Sequence, residues 1–227
     1  NKGVIVDEPS VITVDASSKK CIAAGLDARE MLGRTPKNML CIRPLKDGGV
    51  ADFEATDMML NYFLKKCELK GMFKKNIILI CHPTKITSVE KNAIRDCAYR
   101  AGAKKVYLEE EPKVAAEGAG LDIGKASGNM VLDIGGGTSD IAVLSLGDIV
   151  CSTSIKTAGN RITQDIIENV RSTRKMYIGE QTAEEIKQKI GNAMVVKDAE
   201  TISVSGRDVE TGLPHAIALN SNEVDRY

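Results

Sequence analysis

Hydrophobic and polar positions follow two periods along this chain, one typical of strands and one typical of helices. Residues 77–81 (IILIC) form a short apolar run before Pro83, which is typical of a strand buried on both faces. Between Asp52 and Glu68 the apolar residues instead recur at spacings of three and four, which predicts an amphipathic helix. Residues 4–15 are rich in β-branched side chains and are interrupted by a proline, and they predict two extended pieces.

Helix-capping residues and prolines predict where the remaining helices and strands begin and end. Thr87 and Glu90 form a capping box for a helix at 88–100. Pro112 suits the first position of a helix that follows a strand at 106–112. The other predicted elements are a short helix within 21–33, strands at 130–134, 141–145 and 149–156, helices at 161–172 and 182–190 (the latter capped by Thr182 and Glu185), and a β-hairpin within 201–219. This order predicts an α/β protein with two α/β halves that face each other, in which the three-strand meander starts a new unit.

Composition and charge narrow the class of protein. The chain has 227 residues, of which 43% are hydrophobic and 27% are charged, as in ordinary soluble globular proteins. Lys+Arg and Asp+Glu both number 31, so the sequence indicates no nucleic-acid partner. The six cysteines are scattered and form no CxxC pair, which disfavours a zinc knuckle or a redox motif and favours reduced thiols.

The loop between the first two strands of the meander carries the clearest chemical signal, in the stretch VLDIGGGTSD (131–140). Its three glycines, Gly135, Gly136 and Gly137, make it longer than a two-residue hairpin turn requires. Glycines let a phosphate approach the backbone closely, and successive N–H groups in a tight loop form an anion-binding nest. Thr138 can donate its hydroxyl to the same oxygens, and Asp133 can hold Mg²⁺ through water. The alternative interpretation is a glycine-rich turn with a solvated aspartate.

The stretch DIGGGTSDIAVLSLGDIV (133–150) resembles the second phosphate motif of the superfamily of actin, heat-shock chaperones and sugar kinases. Six ordered segments together resemble the MreB/Mbl family of bacterial actin-like cell-shape proteins nearly end to end. They are EPSVITVD (8–15), MLGRTPKNMLCIRPLKDGGVADFEAT (31–56), EEPKVAAEGAG (110–120), SGNMVLDIGGGTSD (127–140), IGEQTAEEIKQKIGNA (178–193) and SGRDVETGLP (205–214). The resemblance implies an actin-like (ribonuclease H-like) ATPase fold with two facing α/β domains.

The resemblance also implies a division into subdomains. These would be IA at 1–12 and 46–128, IB at 13–45, IIA at 129–158, and IIB at 159–227. The family's first phosphate motif, an Asp-x-Gly-Thr hairpin, would precede the strand at 4–6, and its Gly-Gly-Gly adenosine motif would lie beyond Tyr227. We therefore expect a fragment that is incomplete at both ends, binds ATP weakly by itself and hydrolyses it negligibly.

The resemblance assigns catalytic roles to two carboxylates. Asp133 would lie on the side of Mg²⁺ and the nucleophilic water, while the loop glycines and Thr138 wrap the β- and γ-phosphates of ATP. Glu111, directly before Pro112, would position the water that attacks the γ-phosphate. Without the resemblance, Glu111 is interpreted as an exposed turn carboxylate within an acidic run.

The resemblance places the nucleoside beside residues of the second half. Ala158 and Gly159 match a small-residue pair that lets the backbone approach the phosphates, and Glu184 and Lys187 match the pair that flanks the nucleoside. From spacing alone, Glu184 and Lys187 share one helix face and form an ordinary surface salt bridge.

The function that the resemblance implies is ATP hydrolysis coupled to polymerisation into head-to-tail, paired protofilaments. Such filaments would lie in the cytoplasm at the inner face of the cell membrane, work with the cell-wall elongation machinery and maintain a rod shape. Met72 and Phe73 are surrounded by lysines and are a candidate membrane contact, because apolar side chains with basic neighbours suit an anionic leaflet. The alternative is that they cap the end of the preceding helix.

Two positions depart from the family pattern. Asn160 and Thr163 stand where the family usually has acidic residues, so we expect weaker nucleotide affinity on that side. Three interpretations of the function stay open. The favoured one is a filament-forming ATPase, and the others are a metabolic kinase of the same fold and a non-catalytic fragment.

Overall fold

The structure is a computed structural model that describes residues 3–46, 48–67 and 76–224. The chain divides into two compact units. The first runs to Ile134 and resumes from Thr138 to Lys156, and the second contains Gly135–Gly137 and continues from Thr157. The tip of the glycine loop is therefore assigned to a different unit from the two strands that it connects.

The first unit begins with a three-stranded antiparallel sheet. Its strands are β1 (Ile12–Asp15), β2 (Cys21–Ala24) and β3 (Met39–Ile42), in the order β2-β1-β3, with helix α1 (Leu26–Glu30) after β2. The predicted helix after Asp52 is confirmed as α2 (Phe53–Lys66), which packs Ala55 and Met59 against Ile12 of β1. Asp52 caps this helix by accepting a hydrogen bond from the Ala55 N–H at 2.9 Å. Of the two extended pieces predicted within 4–15, only the second is a strand, because no described strand pairs with residues 3–11.

A parallel strand pair follows. After the short strands β4 (Leu45–Lys46) and β5 (Gly49–Val50), β6 (Ile77–His82) pairs in parallel with β7 (Lys105–Glu110). Helix α3 (Ser88–Arg100) connects them and begins at the predicted capping box of Thr87 and Glu90, in which both hydrogen bonds are present.

The prediction that 77–81 is buried on both faces is wrong for the described residues. Ile78 and Ile80 pack with the core cluster that contains Ala98 of α3. On the opposite face, Ile77 and Leu79 are 67% and 54% exposed. A continuous apolar run indicates a strand, but it does not indicate how many layers cover the sheet.

The first unit ends with a helix and the predicted meander, so the prediction that this meander starts a new unit is wrong. Helix α4 (Glu111–Gly118) follows β7 directly, with Pro112 in its first turn. The antiparallel strands β8 (Asn129–Ile134), β9 (Ser139–Ser145) and β10 (Asp148–Ile155) lie in the order β10-β9-β8. Helix α4 packs against β8 and β9, where Ala116 joins Ala142 and Leu144 in a buried cluster.

The second unit has one antiparallel sheet and two helices. Its elements are α5 (Gly159–Arg174), β11 (Met176–Tyr177), α6 (Glu180–Ile190), β12 (Thr201–Asp208), β13 (Pro214–Asn220) and a 3₁₀ turn (Ser221–Glu223), with the strand order β11-β12-β13. Ile166 of α5, Ile186 of α6 and Leu219 of β13 belong to one buried cluster. The predicted hairpin and the α/β class are confirmed.

The predicted capping box of Thr182 and Glu185 is wrong. Helix α6 begins two residues earlier, after Gly179, and has no side-chain cap. Ile178 and Ala183 both belong to the buried cluster of this unit, so packing rather than a local hydrogen bond fixes where the helix starts. No helix within the described ranges combines the length and the apolar character that a membrane span needs.

Candidate functional site

The residues predicted to form the site fall into two groups, one in each unit. Glu111, Asp133 and Thr138 belong to the first unit. The glycines Gly135 to Gly137, together with Ala158, Gly159, Glu184 and Lys187, belong to the second. Each group has its own internal geometry.

The first group is built at the ends of neighbouring strands. Glu111 follows the last residue of β7 and begins α4, while Asp133 lies next to the end of β8. Asp140, at the start of β9, is the direct cross-strand partner of Asp133. Because α4 packs on β8 and β9, the chain gathers three carboxylates at one place.

The protonation of Glu111 is strongly perturbed. Burial raises the pKa of this half-buried carboxyl, the charges of Asp133 and Asp140 raise it further, and the result is about 7. A carboxyl with this pKa exchanges its proton near neutral pH, which is the range in which a general base works best.

Asp140 is fixed by a residue that is distant in the sequence. It is 1% exposed, and its Oδ1 accepts hydrogen bonds from the N–H of Thr84 at 2.9 Å and from the Thr84 hydroxyl at 2.8 Å. Thr84 follows β6, so these bonds join the parallel strand pair to the meander. Sequence reasoning missed both residues. The available signal was that Asp140 is in phase with Ala142 and Leu144, on the buried face of β9.

The second group begins at the glycine loop. The N–H of Gly159 donates to the carbonyl of Gly135 at 3.1 Å, and the N–H of Asn160 donates to the carbonyl of Gly136 at 2.8 Å. A Cβ at position 159 would lie 3.3 Å from the Gly135 oxygen and 3.4 Å from Nζ of Lys187. Glycine at this position therefore permits the close approach of α5 to the loop, and Ala158 before it is buried.

Glu184 and Lys187 form an ion pair on α6, with 2.6 Å between Nζ and Oε2. Both share one face as predicted, while Ile186 and Ile190 are buried on the other. Burial acts to raise the pKa of Glu184, but hydrogen bonds from Lys187 and Thr163 outweigh it and hold that pKa below its ordinary value. The pair is thus more than a surface salt bridge, because it also contacts α5.

The residues present fit a phosphate-bound Mg²⁺ better than a metal held by protein alone. Within the described ranges no group of three or more His, Cys, Asp or Glu side chains has the geometry of a metal site. Mg²⁺ usually keeps several waters and takes one or two carboxylates together with substrate phosphates. A single carboxylate such as Asp133, two residues before the first glycine of the loop, fits that pattern. The candidate membrane residues Met72 and Phe73 lie outside the described residues.

Comparison with known proteins gives a consistent result along the whole chain. The family model described as MreB/Mbl protein matches residues 1–227. The cell shape-determining protein Mbl of Bacillus subtilis (strain 168) is 54% identical over 224 residues, which is 99% of this chain and 67% of that protein. The cell shape-determining protein MreB of Escherichia coli (strain K12) is 45% identical over 228 residues, which is 98% of this chain and 66% of that protein. The chain thus spans about two thirds of the length of these relatives.

Solved structures agree with the sequence relatives. The structure of MreB 5 of Spiroplasma citri bound to AMPPNP superposes with a TM-score of 0.92 at 37% identity, covering 99% of this chain and 67% of that one. The MamK double helical filament superposes with a TM-score of 0.74 at 20% identity, covering 95% and 66%, and this likeness shows the fold alone. The chain therefore belongs to the MreB/Mbl family and has an actin-like α/β fold.

Proposed function

We propose that this protein works as an actin-like ATPase whose filaments determine cell shape. Its relatives from Bacillus subtilis and Escherichia coli are cell shape-determining proteins, and two structures of MreB5 from Spiroplasma citri hold AMPPNP or ADP. Nucleotide binding by this chain is supported by that likeness and by the two groups of site residues.

The observation that carries the proposal is the carboxyl of Glu111. Its pKa of about 7 makes it a base at physiological pH, and it begins a helix that packs on the strands of Asp133 and Asp140. In the proposed reaction, Glu111 accepts a hydrogen bond from the attacking water and orients it toward the γ-phosphate of ATP. This contact strengthens only as the water attacks, so it lowers the barrier without adding ground-state affinity.

Asp133 and the loop hold the phosphates. When bound, Mg²⁺ would neutralise charge on the phosphate oxygens. Asp133 would hold its water shell, and the N–H groups of Gly135 to Gly137 and the hydroxyl of Thr138 would donate to the β- and γ-phosphates. Asp133 and Thr138 flank the glycines in the sequence, so chain connectivity alone keeps these donors within a few residues of the carboxylate.

Ala158 and Gly159 would admit the phosphates, and Glu184 and Lys187 would flank the nucleoside. The close approach of Gly159 to Gly135 supports the first assignment. The position of the ion pair beside Gly159 supports the second, because the Lys187 ammonium lies 3.1 Å from the Gly159 carbonyl oxygen.

The proposal extends to assembly and location. We propose head-to-tail contacts that build paired protofilaments in the cytoplasm, at the inner face of the membrane, where Met72 and Phe73 insert. Partner proteins would belong to the cell-wall elongation machinery. The subdomain boundaries given above, with IA and IB before residue 129 and IIA and IIB after it, are part of the same proposal.

The test separates the roles of the two carboxylates in the protein expressed from its complete reading frame. Asp133→Ala should weaken Mg-ATP binding by roughly 5- to 150-fold, as expected for a lost contact of a charged group worth about 1–3 kcal/mol. Glu111→Gln should keep the affinity within about twofold and slow single-turnover phosphate release by roughly 100-fold, the loss of a general base. Glu117→Gln, an exposed glutamate on the same helix, is the matched control and should change neither quantity. If Glu111→Gln loses affinity and keeps its rate, the proposed mechanism is wrong.

A further inference from the structure

We propose that Thr163 is a positioning residue that couples Glu184 and Lys187 on α6 to the glycine loop. A substitution at Thr163 would then affect both the ion pair proposed to flank the nucleoside and the glycine loop proposed to bind the phosphates. This inference rests on the proposed function for its meaning, but the coupling itself is a property of the protein without ligand.

The link starts at the Lys187 ammonium, which has three N–H donors. Three acceptors surround it: Oε2 of Glu184 at 2.6 Å, Oγ1 of Thr163 at 2.9 Å and the carbonyl of Gly159 at 3.1 Å. Each donor therefore has one acceptor, and two of the three acceptors belong to α5. Lys187 thus connects the two helices of this unit through hydrogen bonds to residues of both.

Thr163 is the residue that completes this arrangement. It is 4% exposed, and its hydroxyl accepts from Lys187 while Oε2 of Glu184 lies 2.7 Å away as an acceptor for its proton. The Gly159 carbonyl, at 2.9 Å, is a second possible acceptor for the same proton. Only a side chain that both donates and accepts fills this role, so serine preserves it and valine, of nearly the same shape, removes it.

The link reaches the loop through one peptide group. The carbonyl of Gly159 and the N–H of Asn160 belong to the same planar unit and point in opposite directions. Lys187 donates to that carbonyl, and the N–H donates to the Gly136 carbonyl at 2.8 Å. The peptide group between Gly159 and Asn160 is therefore hydrogen-bonded at both its carbonyl and its N–H. A displacement of Lys187 would rotate this peptide group and so change the hydrogen bond from its N–H to Gly136 in the glycine loop.

The first measurement needs no ligand. We expect Thr163→Val to speed hydrogen exchange of the Asn160 amide by about tenfold, the effect of weakening one charge-assisted hydrogen bond in the link. Thr163→Ser should restore the wild-type rate. Thr173→Val is the matched control, because Thr173 is exposed and its hydroxyl makes the same type of bond within α5, to the carbonyl of Asn169 four residues earlier. An unchanged Asn160 rate in a folded Thr163→Val protein overturns the coupling.

The second measurement uses two probes that each occupy one side of the site, in the protein expressed from its complete reading frame. Mg-tripolyphosphate carries phosphates without a nucleoside, and adenosine carries a nucleoside without phosphates. Coupling predicts that Thr163→Val weakens both by about threefold or more, and that Thr163→Ser restores both. Weakening of only one probe means that Thr163 acts locally, which overturns the inference. Wild-type protein that binds neither probe would contradict the proposed function, while the amide exchange rates would still decide the coupling.

Discussion

Replacing Glu111 by glutamine should make the ligand-free protein more stable at alkaline pH while it slows hydrolysis. The pKa of Glu111 rises from 4.5 to about 7 because the carboxylate is partly buried and faces Asp133 and Asp140. This rise in the pKa corresponds to about 3.4 kcal/mol as an upper limit, at about 1.36 kcal/mol for each tenfold change in proton affinity. Partial exposure lowers this, so we expect Glu111→Gln to gain about 1–3 kcal/mol at pH values above about 8.

The sign follows from linkage. A carboxyl whose pKa is raised in the folded state binds its proton more tightly there than in the unfolded chain. The protonated carboxyl of Glu111 therefore contributes stability that is complete below about pH 4.5 and is lost as the pH rises through about 7. The contribution of a glutamine at this position does not change with pH. The difference between variant and wild type should therefore be near zero in acid and should grow across this window.

Urea unfolding in metal-free buffer at several pH values measures this difference. Glu117→Gln, on the same helix but exposed, should follow the wild type at every pH to within about 0.5 kcal/mol. A variant that is less stable than wild type at pH 8, or a difference that does not change with pH, would show that the carboxylate is not under electrostatic stress. The assignment of Glu111 as a base near neutrality would then lose its physical basis.

Three further predictions concern Glu111, Thr84, and the pair Met72 and Phe73. The kcat/KM for phosphate release, measured at Mg-ATP concentrations well below saturation, should rise as the pH increases through about 7, because only deprotonated Glu111 accepts the proton of the water; a kcat/KM that falls over this range would refute this. Thr84→Val should destabilise the protein by about 1–3 kcal/mol in urea unfolding, since it removes one of two donors to buried Asp140, whereas Thr84→Ser should not. Replacing both Met72 and Phe73 by serine should abolish pelleting with anionic liposomes and leave nucleotide binding unchanged; unchanged pelleting would remove their membrane role.

Local signals in the sequence predicted the structure wherever the interacting partners are close in the chain. Thr87 and Glu90 cap α3 as predicted, because the bonds of the capping box join residues only three positions apart. The same pattern failed at Thr182 and Glu185, where buried Ile178 and Ala183 move the start of α6. A capping-box sequence indicates a residue at which a helix can begin. Tertiary packing then determines which of several neighbouring residues is the first of the helix.

The candidate site shows the same limit. The glycine loop could be identified because its residues are contiguous, and the ion pair of Glu184 and Lys187 because helical spacing places both on one face. The contact of Thr84 with Asp140 joins positions 56 residues apart, so no local pattern contains it. The perturbed pKa of Glu111 likewise depends on how α4 packs on the meander, which the sequence does not reveal.

The two groups of site residues differ in a way that predicts how each tolerates substitution. In the first group, burial and the nearby charges of Asp133 and Asp140 raise the pKa of Glu111, so the folded protein disfavours the charged form of this carboxyl. In the second, Glu184 is stabilised in its charged state by Lys187 and Thr163, and its pKa is lowered. Neutralising Glu111 should therefore gain stability at the expense of activity, which is the usual sign of a functional site. Neutralising Glu184 leaves the Lys187 ammonium without its anionic partner, so that substitution should lower stability and nucleotide affinity together.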